Sequence, residues 1–174
     1  MRLIDKISKY LNFTKKGILL DTKPLTLYVI GNLNLSRVKT FSGTKNFSLR
    51  NFHQLSGFLE SFGKIYVTPY ILSELSHFTL EKKTGLSREE KKQIANLILS
   101  LSKKNILLEK LPVLKKVFSN KHIVVIGPND ASLLEASVDK MVPILTSDGV
   151  LADIARNQGR VAFKFVPPDG FLEH

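Results

Sequence analysis

The sequence of 174 residues contains no cysteine and no tryptophan, and only 15 of its residues are acidic. The absence of cysteine excludes a disulfide scaffold, a thiolate zinc site and a cysteine nucleophile. No apolar run reaches the roughly 18 residues that a membrane-spanning helix needs, and residues 1–13 lack the continuous apolar stretch of a signal peptide. We therefore expect a cytoplasmic protein with no membrane partner.

Basic residues, in contrast, are abundant and unevenly distributed. Lysine and arginine total 26, which gives a formal net charge of +11. Residues 1–50 hold 10 basic and 2 acidic side chains, whereas residues 121–174 hold 5 and 7. A basic body of this kind is typical of proteins that bind RNA or another polyanion, although a merely solvated basic surface gives the same composition.

Short apolar runs alternate with amphipathic segments along the chain. This alternation predicts an α/β fold of the three-layer sandwich type, with a mainly parallel central sheet and helices on both faces. We expect an N-terminal helical extension over 1–16, one main domain over 17–168, and an expression-tag remnant at 172–174. Strands are predicted at 17–21, 64–68, 122–127, 143–147 and 160–166, while 105–120 fits either a short strand or a helical turn.

The scarce acidic residues can be placed one by one. Asp21 and Asp148 each follow a predicted buried strand, and the carboxyl ends of parallel strands meet at the edge where α/β sheets bind ligands. A helical phase of about 100° per residue places Glu74 beside the buried stripe of its helix and Asp130 on the inward face of another. Four carboxylates are thus expected to point inward or toward one edge of the sheet.

Buried carboxylates need a compensating partner. A hard divalent cation such as Mg²⁺ or Mn²⁺ would stabilise all four, because such ions prefer oxygen ligands. The alternative is a set of helix caps and salt bridges, and Asp130 in particular could act only as a cap.

Four segments, taken together, resemble the PIN-domain nucleases, a family that includes the VapC-type toxins of toxin–antitoxin pairs. The first and fourth segments follow the family's order of strand, acid and helix. In the second a strand leads into a helix that carries a glutamate, and in the third an aspartate stands at the start of a helix. They are GILLDTKPLTLYVIGN (17–32), YVTPYILSELSHF (66–78), GPNDASLLEAS (127–137) and ILTSDGVLADIARNQG (144–159).

The resemblance implies an endoribonuclease that hydrolyses RNA phosphodiester bonds with Mg²⁺ or Mn²⁺ as cofactor. Carried over residue by residue, Asp21, Glu74, Asp130 and Asp148 become both the catalytic acids and the metal ligands. Thr146 matches a hydroxyl position near the metal, although a purely structural strand threonine is equally compatible with its position. The basic residues expected to line the RNA path are Lys23, Arg37, Lys39, Lys45 and Arg50.

The sequence is compatible with more than one biological role. A toxin would have a small antitoxin protein as its partner, and a homodimer is a further expectation. The gap between Asp21 and Glu74 is longer than in compact toxins of the family, so a stand-alone RNA-processing nuclease is the alternative to a toxin. The sequence also fits a catalytically silent nucleic-acid-binding module of the same fold, or an unrelated phosphotransfer or phosphatase domain with an acidic pocket.

Overall fold

The central strand of the sheet is formed by three fully buried aliphatic residues, Ile18, Leu19 and Leu20. A strand without a polar face is what a parallel sheet covered by helices on both sides requires. The computed structural model that shows this describes residues 14–81, 84–138, 142–167 and 170–171. Residues 1–13 of the predicted helical extension and the predicted tag at 172–174 lie outside the described residues.

The strands are short and the helices between them account for most of the described chain. The strands are β1 (Ile18–Leu20), β2 (Ile65–Val67), β3 (Leu107–Glu109), β4 (Ile144–Thr146), β5 (Ala162–Val166) and β6 (Gly170–Phe171). The helices are α1 (Thr22–Leu33), α2 (Arg37–Thr40), α3 (Leu49–Glu60), α4 (Pro69–Leu80), α5 (Arg88–Lys103), α6 (Leu114–Phe118), α7 (Ile123–Val138) and α8 (Gly149–Asn157).

The sheet confirms the predicted fold class. Its order in the described chain is β3-β2-β1-β4-β5-β6, with parallel pairing from β3 to β5 and one antiparallel strand, β6, at the edge. Because β1 pairs with both β2 and β4, the residues that follow these three strands emerge side by side. Asp21 follows β1, and its backbone N–H donates to the carbonyl of Leu145 on β4 at 2.9 Å.

Three helices start at hydroxyl side chains that accept hydrogen bonds from the first turn. The S-x-x-E pattern at 87–90 predicts a capping box, which Ser87 and Glu90 form at the start of α5, and Ser48 forms a second one with Asn51 at α3. Thr68 caps α4 immediately before Pro69. In the described part of the chain, no helix combines the length and the apolar character needed to cross a membrane.

The predicted strand at 122–127 is wrong. This segment forms the first turn of α7, and its β-branched residues Val124 and Val125 are 94% and 71% exposed. The turn begins where the Asn120 side chain accepts a hydrogen bond from the His122 backbone N–H at 2.9 Å, a local cap that competes with strand pairing. Gly127 then interrupts the helix with φ 74° and ψ 172°, a conformation that glycine adopts readily.

The contact between α1 and α3 offers a direct test of core packing. A Cβ on Gly31 would overlap the Phe52 ring, so Gly31→Ala should destabilise the fold by about 1–3 kcal/mol despite the better helix propensity of alanine. The matched control is Gly57→Ala in α3, where a Cβ would meet no atom within 4 Å and stability should rise by about 0.5–1 kcal/mol. Urea unfolding of both variants measures the difference, and equal midpoints would contradict this packing.

Candidate active site

A cleft of about 500 Å³ lies at the carboxyl edge of the parallel strands. The four acids singled out from the sequence all line it, and each comes from a different part of the fold. Asp21 follows β1, Glu74 lies in the middle of α4, Asp130 lies in α7 just after the Gly127 interruption, and Asp148 precedes α8. Residues more than 120 positions apart in the sequence therefore meet in one cavity.

Asp21 is the most deeply buried of the four carboxylates, with 7% of its surface exposed. One oxygen accepts a hydrogen bond from the Thr22 backbone N–H at 2.5 Å, and the other accepts one from the Thr146 hydroxyl at 2.6 Å. Burial raises the pKa of Asp21 and the nearby Glu74 carboxylate raises it further, while the two hydrogen bonds and Lys23 oppose the increase. The neutral donors thus offset part of the unfavourable burial of this charge.

Thr146, predicted as a hydroxyl near a metal or as a structural strand threonine, links two of the acids. Besides donating to Asp21, its Oγ1 accepts a hydrogen bond from the Asp148 backbone N–H at 2.9 Å. Thr146 is completely buried, so both bonds are shielded from water. The Thr146 hydroxyl therefore joins the two chain segments that carry Asp21 and Asp148, just after the ends of β1 and β4.

Glu74 and Asp148 each have one oxygen engaged and one without a donor among the described residues. Glu74 Oε2 accepts hydrogen bonds from the Thr22 hydroxyl at 2.6 Å and the Asn129 side-chain amide at 2.8 Å. Asp148 Oδ1 caps α8 by accepting the backbone N–H groups of Val150 and Leu151 at 2.6 and 3.1 Å. The second oxygen of each carboxylate is therefore available to a ligand.

Asp130 differs from the other three because no group in the described chain donates a hydrogen bond to its carboxylate. Burial raises its pKa to about 7, and repulsion from Asp21, Asp148 and Glu74 adds to the effect. Lys23 is the positive side chain that opposes this increase. Among the described residues, no hydrogen bond supports the helix-cap role that the sequence left open for Asp130. A carboxyl group with a pKa of about 7 is partly protonated at neutral pH.

The donor chemistry of the cleft fits a hard divalent cation. The available ligands are carboxylate oxygens, and the negative charge they carry is only partly offset by Lys23. Among the described residues, no three acidic or histidine side chains are close enough to form a ready-made coordination shell. Mg²⁺ does not require one, because it commonly keeps several waters and binds one or two carboxylates together with substrate phosphates.

The five basic residues predicted for the RNA path are found in different settings. Lys23 lines the cleft, and the exposed Lys45 lies in the loop whose Ser42, Gly43 and Asn46 form one wall. Lys39 and Arg50 are also exposed, but they lie outside the cleft lining. Arg37 is engaged in a forked ion pair with Glu90, with N–O distances of 2.6 and 2.8 Å, which joins α2 to α5.

Three neutral residues of the site were missed from the sequence. Thr22 and Asn129 position Glu74, and Ser147 contributes to the cleft a buried hydroxyl oxygen with no hydrogen-bond partner in the described chain. Each is adjacent in sequence to a predicted acid, at positions 21, 130 and 148. That adjacency was the available signal, because polar residues beside a strand-end acid share its location.

Replacing Asp130 tests the electrostatics of the metal-free site. In the unfolded chain this carboxyl has an ordinary pKa near 4, so between about pH 4 and 7 the folded state binds more protons and stability falls as pH rises. Asp130→Asn removes that penalty and should stabilise the protein at pH 7.5 by about 1–2 kcal/mol after allowance for solvent screening, with little gain at pH 4. Asp153→Asn, at an exposed acid, is the control. Equal pH profiles for parent and Asp130→Asn in chelator, measured by urea unfolding, would contradict the clustering.

Comparisons with known proteins give no independent indication of what the cleft binds. No protein-family model matches the chain, and no curated protein is significantly similar to it. The chemistry of the site is therefore inferred from its own residues.

Proposed function

We propose that this protein is a divalent-cation-dependent endoribonuclease. The observation that carries the proposal is the meeting of four carboxylates, from four separate elements, in one cleft at the carboxyl edge of a parallel sheet. Such a cluster in a protein of net charge +11 combines a local cation site with a surface that attracts a polyanion. The resemblance of the four sequence segments to PIN-domain nucleases supports RNA as the substrate.

The acidic residues of the cleft would have different roles in the reaction. Glu74 and Asp148, each with one oxygen not engaged among the described residues, would hold Mg²⁺ or Mn²⁺ directly, and Asp21 would hold it through water. The ion when bound supplies Lewis acidity toward a phosphate oxygen. Asp130 lines the same cleft, and no described group donates a hydrogen bond to its carboxylate, so it would be the acceptor for the proton of the water that attacks phosphorus. The water oxygen forms the new P–O bond and the bond to the leaving ribose oxygen breaks. A solvent proton neutralises the leaving oxygen, and Asp130 returns the proton that it accepted to solvent.

The biological setting follows from the same proposal. An enzyme of this kind would act on cytoplasmic RNA, either as a stand-alone processing nuclease or as a toxin held inactive by a small antitoxin protein. The extended segment between Asp21 and Glu74, which includes α2, α3 and the loop beside the cleft, favours the processing nuclease. A homodimer is compatible with either role.

The first test is cleavage of a labelled single-stranded RNA in Mg²⁺ or Mn²⁺. Asp130→Asn should lower the cleavage rate by about 10²–10⁴-fold, the usual contribution of a general base, while RNA binding is retained. Asp21→Asn should also lose cleavage, and Asp153→Asn should cleave like the parent. Cleavage that persists in excess chelator would contradict a metal-dependent enzyme. RNA binding without cleavage would indicate the silent binding module, and hydrolysis of small phosphate esters alone would indicate a phosphatase.

The second test measures the thermal unfolding midpoint, Tm, with and without divalent ions. A cation that binds only the folded state stabilises it by about 2.7 kcal/mol at a concentration 100 times its Kd, and each kcal/mol raises Tm by about 2–4 °C in a chain of this size. Millimolar Mg²⁺ or Mn²⁺ should therefore raise Tm, and Asp21→Asn should reduce that increase. Sodium chloride at matched ionic strength separates specific binding from charge screening. A Tm unaffected by either divalent ion would contradict the metal site.

A further inference from the structure

Lys164 is a half-buried lysine on β5 that lies beside the acidic cleft. It is paired in register with Thr146 of β4, the residue that links Asp21 to Asp148. Its ammonium group lies over the start of α8, since a Cβ built on Gly149 would be 3.1 Å from Lys164 Nζ. Gly149 directly follows the cleft residue Asp148, so the lysine amine lies just outside the lining of the cleft, on the Asp148 side.

The direction of this side chain is fixed by strand alternation. Phe163 packs against Phe58 and Phe62 from α3 and the loop after it, on one face of the sheet. Lys164 therefore points to the other face, where α8 packs on β4 and β5. The small Gly149 leaves the space that the lysine amine occupies.

Within the described residues, the Lys164 ammonium makes no hydrogen bond and no ion pair. Asp148 precedes Gly149 in the chain, but it forms no ion pair with Lys164 and accepts hydrogen bonds from the backbone of α8 instead. A half-buried ammonium group without a partner is unfavourable, and an anion bound beside it would stabilise it.

A phosphodiester substrate supplies such an anion. The four carboxylates repel the backbone phosphates that flank the scissile one, so positive groups on either side of the cluster are needed to hold the strand. Lys23 lies on the Asp21 side of the cleft, and Lys164 lies on the Asp148 side. The two lysines thus flank the acids in the direction from β1 toward β5.

We propose that Lys164 binds a backbone phosphate next to the scissile one, beside Gly149 and just outside the Asp148 edge of the cleft. This inference rests on the proposed nuclease function and deepens it. A site that engages a second phosphate selects oligonucleotides over single phosphate esters, because only a chain can reach both positions. Lys164 is then a substrate-binding residue that contributes to affinity and not to the cation site.

The test measures RNA binding as a function of salt in the Asp21→Asn background, where the RNA stays intact. Loss of one phosphate contact in Lys164→Met should reduce the slope of log K against log salt by about 0.7, whereas Lys164→Arg should retain the slope. Lys103→Met is the matched control, because Lys103 ends α5 near the opposite edge of the sheet and its removal should leave the slope unchanged.

A second variant separates the position of the amine from its charge. In Gly149→Ala the new methyl group displaces the flexible end of Lys164, so RNA affinity should fall although the net charge is unaltered. Tm should not fall, since alanine is favoured over glycine within a helix. Tm values of Lys164→Met near that of its background exclude a purely structural role for the lysine.

The outcomes are distinguishable. If the background protein binds RNA and Lys164→Met keeps its full salt slope, the assignment of Lys164 is overturned while the nuclease proposal stands. If neither the parent nor the background protein binds RNA, both are overturned. A reduced slope in Lys164→Met that Lys164→Arg restores supports the assignment.

Discussion

Carboxylates in one cleft repel one another, and this molecule brings four of them together and holds three with hydrogen bonds from uncharged groups. Thr146 donates to Asp21, while Thr22 and Asn129 donate to Glu74. These donors come from β4, α1 and α7, so the same bonds that stabilise the charges also join the elements around the cleft. Neutral donors achieve this without cancelling the negative potential, which an arginine or lysine in contact would do. The site thereby keeps its attraction for a cation.

The positive and negative charges of this protein are also separated along the sequence. Most of the excess positive charge is carried by the first two thirds of the sequence, whereas three of the elements that bear the site acids lie at or beyond residue 69. Long-range attraction of a polyanion and short-range binding of a cation can then coexist, because screening by salt limits each field to about 10 Å at 0.1 M. Lys23, which lines the cleft with the acids, lies where the two fields meet.

The sequence could predict the features that depend on local residue patterns, namely strands, strand ends and helix starts. Short apolar runs in the sequence predicted β1 and β4, and with them the positions of Asp21 and Asp148 at strand ends. Capping residues such as Ser87 predicted where helices start. Local pattern failed at 122–127, where an asparagine cap and the Gly127 interruption outweighed a β-branched composition. It also could not reveal that Asn129 binds Glu74 or that Lys164 lies over Gly149, because such contacts exist only after distant strands have paired.

The order of strands has a consequence for biosynthesis. β1 lies at the centre of the sheet, yet its neighbour β4 follows about 125 residues later, as the Thr146–Asp21 hydrogen bond illustrates. At roughly 5–20 residues per second, translation takes on the order of 6–25 s to cover that interval. During this time β1 can pair with β2 but lacks its second neighbour, and Asp21 lacks the hydroxyl that stabilises it. A nascent chain on the ribosome, surrounded by RNA, therefore cannot complete the acidic site until its last quarter has emerged.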